Sequence, residues 1–112
     1  MPKIRVMLAD DQAMLVAALS TILNAQEDIE VVATASSGDD AVSLALRFRI
    51  DVTILDIRMP GMDGIAAAQA ILSRIPDCRI IMLTTFNEED LVSQSIAAGA
   101  HGFLLKDEDP EV

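Results

Sequence analysis

Cross-links, aromatic rings and positive charge are all scarce in this chain. It has one cysteine, three phenylalanines and neither tryptophan nor tyrosine among 112 residues. A single thiol, Cys78, excludes an internal disulfide and suits a reducing cytoplasm. Eight basic residues against 18 acidic ones give a net charge of −10. An acidic surface repels phosphate backbones, so DNA or RNA would have to be held by a part of the protein outside this segment. The longest unbroken apolar run, from Ala13 to Leu19, has seven residues. A membrane-spanning helix needs roughly 18–20, so a soluble protein with no membrane contact is expected. Met1-Pro-Lys-Ile-Arg-Val6 runs directly into a strand-like segment, with no secretory h-region before it. Low-complexity tracts, repeats and blocks of like charge are missing as well.

What is present points to one globular domain over residues 1–112, with 52% of residues apolar and 23% charged. Two periods alternate along it. Ile4 to Ala9, Val31 to Ala35, Val52 to Leu55, Ile80 to Leu83 and Gly102 to Leu105 are short, nearly continuous apolar segments. That is the pattern of a parallel sheet buried on both faces. Between them the apolar residues fall at helical spacing: Ala41, Leu44, Ala45 and Phe48 in one segment, and Leu15, Leu19, Ile22 and Leu23 in another. Ser37 with Asp40, and Asn87 with Asp90, look like helix caps with a first-turn acid. Asp63-Gly64 precedes a helical run from Ile65 to Ile75 that Pro76 closes.

The pattern predicts βαβαβαβαβ, an α/β fold with a doubly wound five-stranded parallel sheet in the order 2-1-3-4-5. Five strands span about 20 Å, and one helix about 10 Å wide does not cover that width. A further helix after the last strand is therefore expected, yet six residues follow Lys106. Pro110 and Glu111 suit a helix first turn, so the sequence reads as a fragment whose final helix is missing or truncated.

Ligands in such sheets bind beyond the carboxyl ends of the strands. There the sequence puts Asp10-Asp11, Asp56, Thr84-Thr85 and Lys106. Three carboxylates and one ammonium sum to −2, and packed within about 4–6 Å the acids would raise one another's pKa values. A hard divalent cation relieves this, and Mg²⁺ suits a few carboxylates, a backbone carbonyl and retained waters. Each residue also has an ordinary role. Asp11 could cap the first helix with Asp10 as its solvated neighbour, Lys106 could be an exposed lysine, and Thr84 a plain strand residue. Asp56, after Val52-Thr-Ile-Leu55, is the hardest to dismiss, because a buried unpaired charge costs several kcal/mol.

Asp10-Asp11, Ile54-Leu-Asp56-Ile-Arg-Met-Pro-Gly-Met-Asp-Gly64, Thr84 and Gly99-Ala-His-Gly-Phe-Leu-Leu-Lys106 together resemble a response-regulator receiver domain with the CheY-like fold, over Ile4 to Lys106. The resemblance implies that Asp56 takes a phosphoryl group from a sensor histidine kinase. It implies that Asp11, Asp56 and the Arg58 carbonyl bind Mg²⁺, with Asp10 acting through water. Lys106 and the Thr84 hydroxyl would hold the phosphoryl oxygens. Thr84 and Phe103 would form the switch, and Arg58 and Phe86 would tune the phosphoryl lifetime. Leu104-Leu-Lys-Asp107 and Thr84-Thr-Phe86 look like the NarL/LuxR-type subgroup. Its members carry a C-terminal helix-turn-helix domain, so DNA contact would come through a part absent from this chain. Homodimerisation on activation is implied as well.

Two other classes fit the residues less well. A Mg²⁺-dependent aspartate-nucleophile phosphatase of the haloacid-dehalogenase type needs a second acid two residues after its nucleophile, where this chain has Gln12 after Asp10 and Arg58 after Asp56. A receiver-like interaction module that no longer accepts phosphate is disfavoured by the intact Asp56, Thr84 and Lys106. Cys78 reads as an inert thiol, His101 as a turn residue without companion ligands, Phe103 equally as a core aromatic, and Met7, Met14 and Met82 as core filler.

Overall fold

The computed structural model describes residues 2–84 and 89–106, with the Glu89 side chain left aside. Phe86, the Asn87 cap and the Asp107–Val112 segment lie outside the described residues. Within them the chain runs β1 (Ile4–Ala9), α1 (Ala13–Asn24), β2 (Ile29–Ala35), α2 (Gly38–Arg47), β3 (Val52–Asp56), α3 (Gly64–Arg74), β4 (Arg79–Thr84), α4 (Glu89–Ala97) and β5 (Gly102–Leu105). All strand pairs are parallel and the order is β2-β1-β3-β4-β5, as the alternation of periods predicts. A register shift between Val6 and Met7 lets β2 gain one residue on β1.

The continuous apolar runs follow from a sheet with two dry faces. Successive side chains of a strand point to opposite sides. Met7, Ala9, Leu55, Ile80 and Met82 enter one core cluster, while Val6, Leu8, Ile54 and Leu83 enter another. The first cluster is closed by Ala41 and Ala45 of α2, Ala67, Ala68 and Ile71 of α3, and Leu91 of α4. With few aromatics to fill space, these alanines let the helix backbones come close to the sheet. The second cluster is covered by Leu15, Val16, Leu19 and Leu23 of α1, none of them fully buried.

Three expectations fail on exposure. Met14 is 87% exposed and Ile22 58% exposed, because they sit on the outer side of a helix that buries no residue completely. Phe48 is not part of the α2 stripe: the helix ends at Arg47, and the Phe48 ring lies at the surface with the Arg47 guanidinium 5.9 Å above it. Met7 and Met82 are core residues as expected. The Ser37 and Asp63 caps are present, their side chains accepting from the Asp40 and Ala66 amides at 3.2 and 2.8 Å.

Gly64 opens α3 directly beneath β3. Its amide donates to the Ile57 carbonyl at 2.8 Å, and a Cβ there would collide with the Asp56 carbonyl and stand 2.9 Å from the Ile57 Cα. Both obstacles are backbone, so neither can rotate away. Gly64→Ala is expected to lower the free energy of unfolding by about 2–3 kcal/mol, the scale of core overpacking. Urea titration would measure it; a loss under about 0.5 kcal/mol, typical of a surface change, would mean that α3 is not seated this tightly on β3.

Candidate functional site

The carboxyl ends of β1, β3 and β4 and the residue after β5 meet at one end of the sheet. The β1–β3 register aligns Ala9 with Leu55, so Asp10 and Asp56 follow from neighbouring strands at one level. Asp10 is 2% exposed and Asp56 5%, whereas Asp11 is exposed. Each of the three offers a carboxylate oxygen, and these oxygens all lie within 4.8 Å of one another. The Lys106 ammonium lies 3.0 Å from Asp10 Oδ2 and 3.2 Å from Asp56 Oδ2. The lysine is aimed there by its own backbone, whose amide donates to the Thr84 carbonyl at 2.8 Å.

The two buried acids differ in their remaining contacts. Asp10 Oδ1 accepts the Gln12 amide at 2.8 Å, so the acid that bonds the backbone entering α1 is Asp10; Gln12, the N-cap residue, makes no capping bond with its side chain. Asp10 Oδ2 is fully buried and, apart from the ion pair, takes no aligned hydrogen bond. Asp56 Oδ1 receives the Arg58 amide at 3.4 Å. Thr84 is 2% exposed at the end of β4, and Phe103 is half-buried on β5 against the first core cluster. Arg58 is exposed, and its loop lines an open cleft of about 500 Å³ with Asp11, Ile57, Met59, Pro60, Asp63 and Leu91.

Burial is the main cause that pushes the Asp56 pKa from 3.8 up to about 6; Asp10 adds to the rise, while Lys106 and the Arg58 amide oppose it. Burial works against the Lys106 charge, but Asp10 and Asp56 outweigh it and its pKa goes up. One ammonium is thus insufficient for this carboxylate cluster. Two oxygens on one Mg²⁺ are at most about 4.2 Å apart at a bond length near 2.1 Å. The 4.8 Å span therefore needs only a small contraction, and Asp10 Oδ2, paired with the Lys106 ammonium at 3.0 Å, has lone-pair capacity left for a cation. The donor set fits a hard, oxygen-seeking cation.

Sequence reasoning located Asp10, Asp11, Asp56, Thr84 and Lys106 at strand ends, and the fold puts all five at the same end of the sheet. The ordinary reading of the acid pair, with Asp11 as cap and Asp10 as its solvated neighbour, is reversed: Asp10 is buried and takes the Gln12 amide, while Asp11 is the exposed one. Elsewhere, Cys78 is buried and 3.4 Å from the Thr53 hydroxyl, with burial pushing its thiol pKa up, which suits an unreactive thiol. His101 is used structurally: its Nδ1 accepts the Ile80 amide at 3.0 Å where β4 and β5 begin to pair.

Comparison with known proteins agrees with this geometry. The family profile described as the response regulator receiver domain matches residues 6–112. Among curated proteins, the chain is 45% identical over 109 residues to the transcriptional regulatory protein YxjL of Bacillus subtilis, covering 97% of this chain and 50% of that protein. It is 46% identical over 103 residues to the transcriptional regulatory protein LiaR of the same organism, covering 92% and 49%. The chain thus spans about half the length of the curated relatives it matches. Among solved structures, the signal receiver domain of NarL from Mycobacterium tuberculosis superposes with a TM-score of 0.90 at 35% identity, covering 96% of this chain and 87% of that one. The response regulator domain of Thermotoga maritima CheB gives 0.88 at 34% identity, covering 95% and 80%.

The raised Asp56 pKa sets a stability prediction. A carboxyl whose pKa is higher in the folded than in the unfolded chain favours folding below about 3.8, and that contribution is lost as pH rises through about 6. In the presence of EDTA, Asp56→Asn should therefore be more stable than wild type at pH 7.5 by about 1–3 kcal/mol, from roughly two pKa units at 1.36 kcal/mol each. At pH 4 the two should coincide. Urea unfolding at both pH values measures this, and an asparagine variant no more stable at pH 7.5 would mean that Asp56 is not buried against uncompensated charge.

Proposed function

The chain belongs to the response regulator receiver domain family, and on that premise we propose that it is a phosphorylation switch with Asp56 as its acceptor. The observation that carries this reading is the buried Asp56 carboxylate, 3.2 Å from the Lys106 ammonium and grouped with the oxygens of Asp10 and Asp11. An Asp56 oxygen attacks the phosphorus of a phosphohistidine on a sensor histidine kinase. A P–O bond forms, the P–N bond breaks, and the leaving imidazole nitrogen keeps the electron pair and takes up a proton. Lys106 neutralises charge on the phosphoryl oxygens from one side, and the Thr84 hydroxyl donates to them from the end of β4.

Asp11, Asp56 and the Arg58 carbonyl would hold Mg²⁺, with Asp10 acting through water. When bound, Mg²⁺ supplies positive charge that lowers the cost of the anionic in-line transfer. The catalysis asked of this site is positioning and charge neutralisation, and the chain turns over only its own aspartyl phosphate. Thr84, drawn toward the new phosphoryl group, and Phe103, half-buried on β5, would carry the switch to the face of α4 and β5. Arg58 and Phe86 would tune how long the phosphoryl group lasts.

The relatives are transcriptional regulators about twice as long as this chain. We infer a cytoplasmic protein of the NarL/LuxR type, with a C-terminal helix-turn-helix domain making the DNA contact and a homodimer forming on activation. No described helix is long and apolar enough to cross a membrane.

Intact mass after incubation with acetyl phosphate, with and without Mg²⁺, tests this reading. A Mg²⁺-dependent, base-labile phosphoryl adduct is expected on wild type and not on Asp56→Asn. A folded wild type that takes up no phosphoryl group would favour a receiver-like interaction module instead. An adduct that persists in Asp56→Asn would mean that another residue is the acceptor.

A further inference from the structure

Outside the acidic cluster, one carboxylate reaches the acceptor loop from a separate element. Residues 57–63 connect β3 to α3 and carry Arg58 at the site. Three of the ties along this loop join it to itself or to the elements it connects. They are the Gly64 amide on the Ile57 carbonyl at 2.8 Å, the Arg58 amide on Asp56 Oδ1 at 3.4 Å, and the Asp63 cap on the Ala66 amide at 2.8 Å. The far side of the loop instead meets the first turn of α2.

Gly61 adopts a left-handed conformation at φ 70°, and the Met62 amide that follows donates to Asp39 Oδ2 at 3.4 Å. A Cβ on Gly61 would stand 2.7 Å from that same oxygen. A Cβ on Gly38 would collide with the Met62 carbonyl, so the start of α2 and the loop are in backbone contact. The Asp39 side chain spans this contact. An acid in a helix first turn is favoured by the helix dipole whatever it touches. The dipole does not, however, require that its carboxylate lie on the amide of a loop 23 residues away.

We propose that Asp39 is a positioning residue for Mg²⁺ binding. By accepting the Met62 amide it keeps the other end of the loop, at Arg58, against Asp56. The affinity of the acidic site for Mg²⁺ then depends on a carboxylate that is not part of it. The inference rests on the reading of Asp10, Asp11 and Asp56 as a Mg²⁺ site. The required chemistry at position 39 is a hydrogen-bond acceptor; the charge is incidental, since exposed charges act weakly through solvent.

Calorimetric titration of Mg²⁺ into wild type, Asp39→Ala and Asp39→Asn tests this. Asparagine keeps the acceptor oxygen and loses the charge. The alanine variant is expected to bind Mg²⁺ about three- to tenfold more weakly, at or below the range for residues that orient metal ligands. The asparagine variant should stay within about twofold of wild type. An alanine variant equal to wild type overturns the proposal, and so does an asparagine variant as weak as alanine, which would mark a plain charge effect. A purely structural Asp39 would lower thermal stability without moving the Mg²⁺ affinity. Should the alanine variant not fold, Asp39→Ser, too short to reach Met62, takes its place with the same expected outcome. If wild type itself binds no Mg²⁺, it is the underlying metal-site reading that fails.

Discussion

Two carboxylates buried side by side with one ammonium between them set the terms for this fold. Asp10 and Asp56 would each prefer water, and neither can leave, because each continues a strand fixed in the middle of a parallel sheet. Lys106 lies within 3.2 Å of both, but it only partly offsets what burial, first, and the neighbouring Asp10 charge, second, do to Asp56, whose pKa is pushed up to about 6. Surplus carboxylate charge at one point is what a hard, oxygen-seeking cation would offset.

The surrounding structure holds these charges in place mainly through backbone proximity. With three phenylalanines and no larger aromatic, the core depends on alanine-faced helices drawn close to the sheet. Close approach requires positions without a Cβ, and Gly38 and Gly64 are two of them, each abutting the backbone of another segment. Gly64 fixes where α3 starts relative to Asp56, and Gly38 fixes where α2 starts relative to the loop that follows Asp56. The helix starts therefore frame Asp56 from two directions before any side chain contributes.

Much of this was legible in the sequence, for a definable reason. A parallel sheet with two dry faces writes itself as unbroken apolar runs, and every one of the five runs became a strand within two residues of its expected ends. Ser37 and Asp63 announce their helices because capping is a local interaction three residues long. The site was readable because its residues sit at strand ends, which the runs locate. Exposure was less readable. Helical spacing put Ile22 and Phe48 on buried stripes, but a stripe shows which residues share a side and not how far that side is covered. Contacts between distant segments left no trace either, and the meeting of Asp39 with Met62 is one of these.

The two faces of the sheet are unequally closed, and this bears on where the site can be stiff and where it can move. The face under α2 and α3 holds fully buried residues such as Met7, Leu55, Ile71, Ile80 and Met82, while the face under α1 has its buried residues almost entirely in the strands. Local opening costs most where apolar contact is densest. The loop carrying Arg58 is anchored on the densely packed side, by α3 through Gly64 and by α2 through Gly38 and Asp39. Lys106 follows β5, a short edge strand whose Leu104 and Leu105 are exposed. Asp56 and its loop are thus tied to the more densely packed face, and Lys106, itself buried against Asp10 and Asp56, follows the sparsely packed edge strand. If Asp56 is the acceptor proposed above, a change of its charge would meet the least packing resistance toward β5.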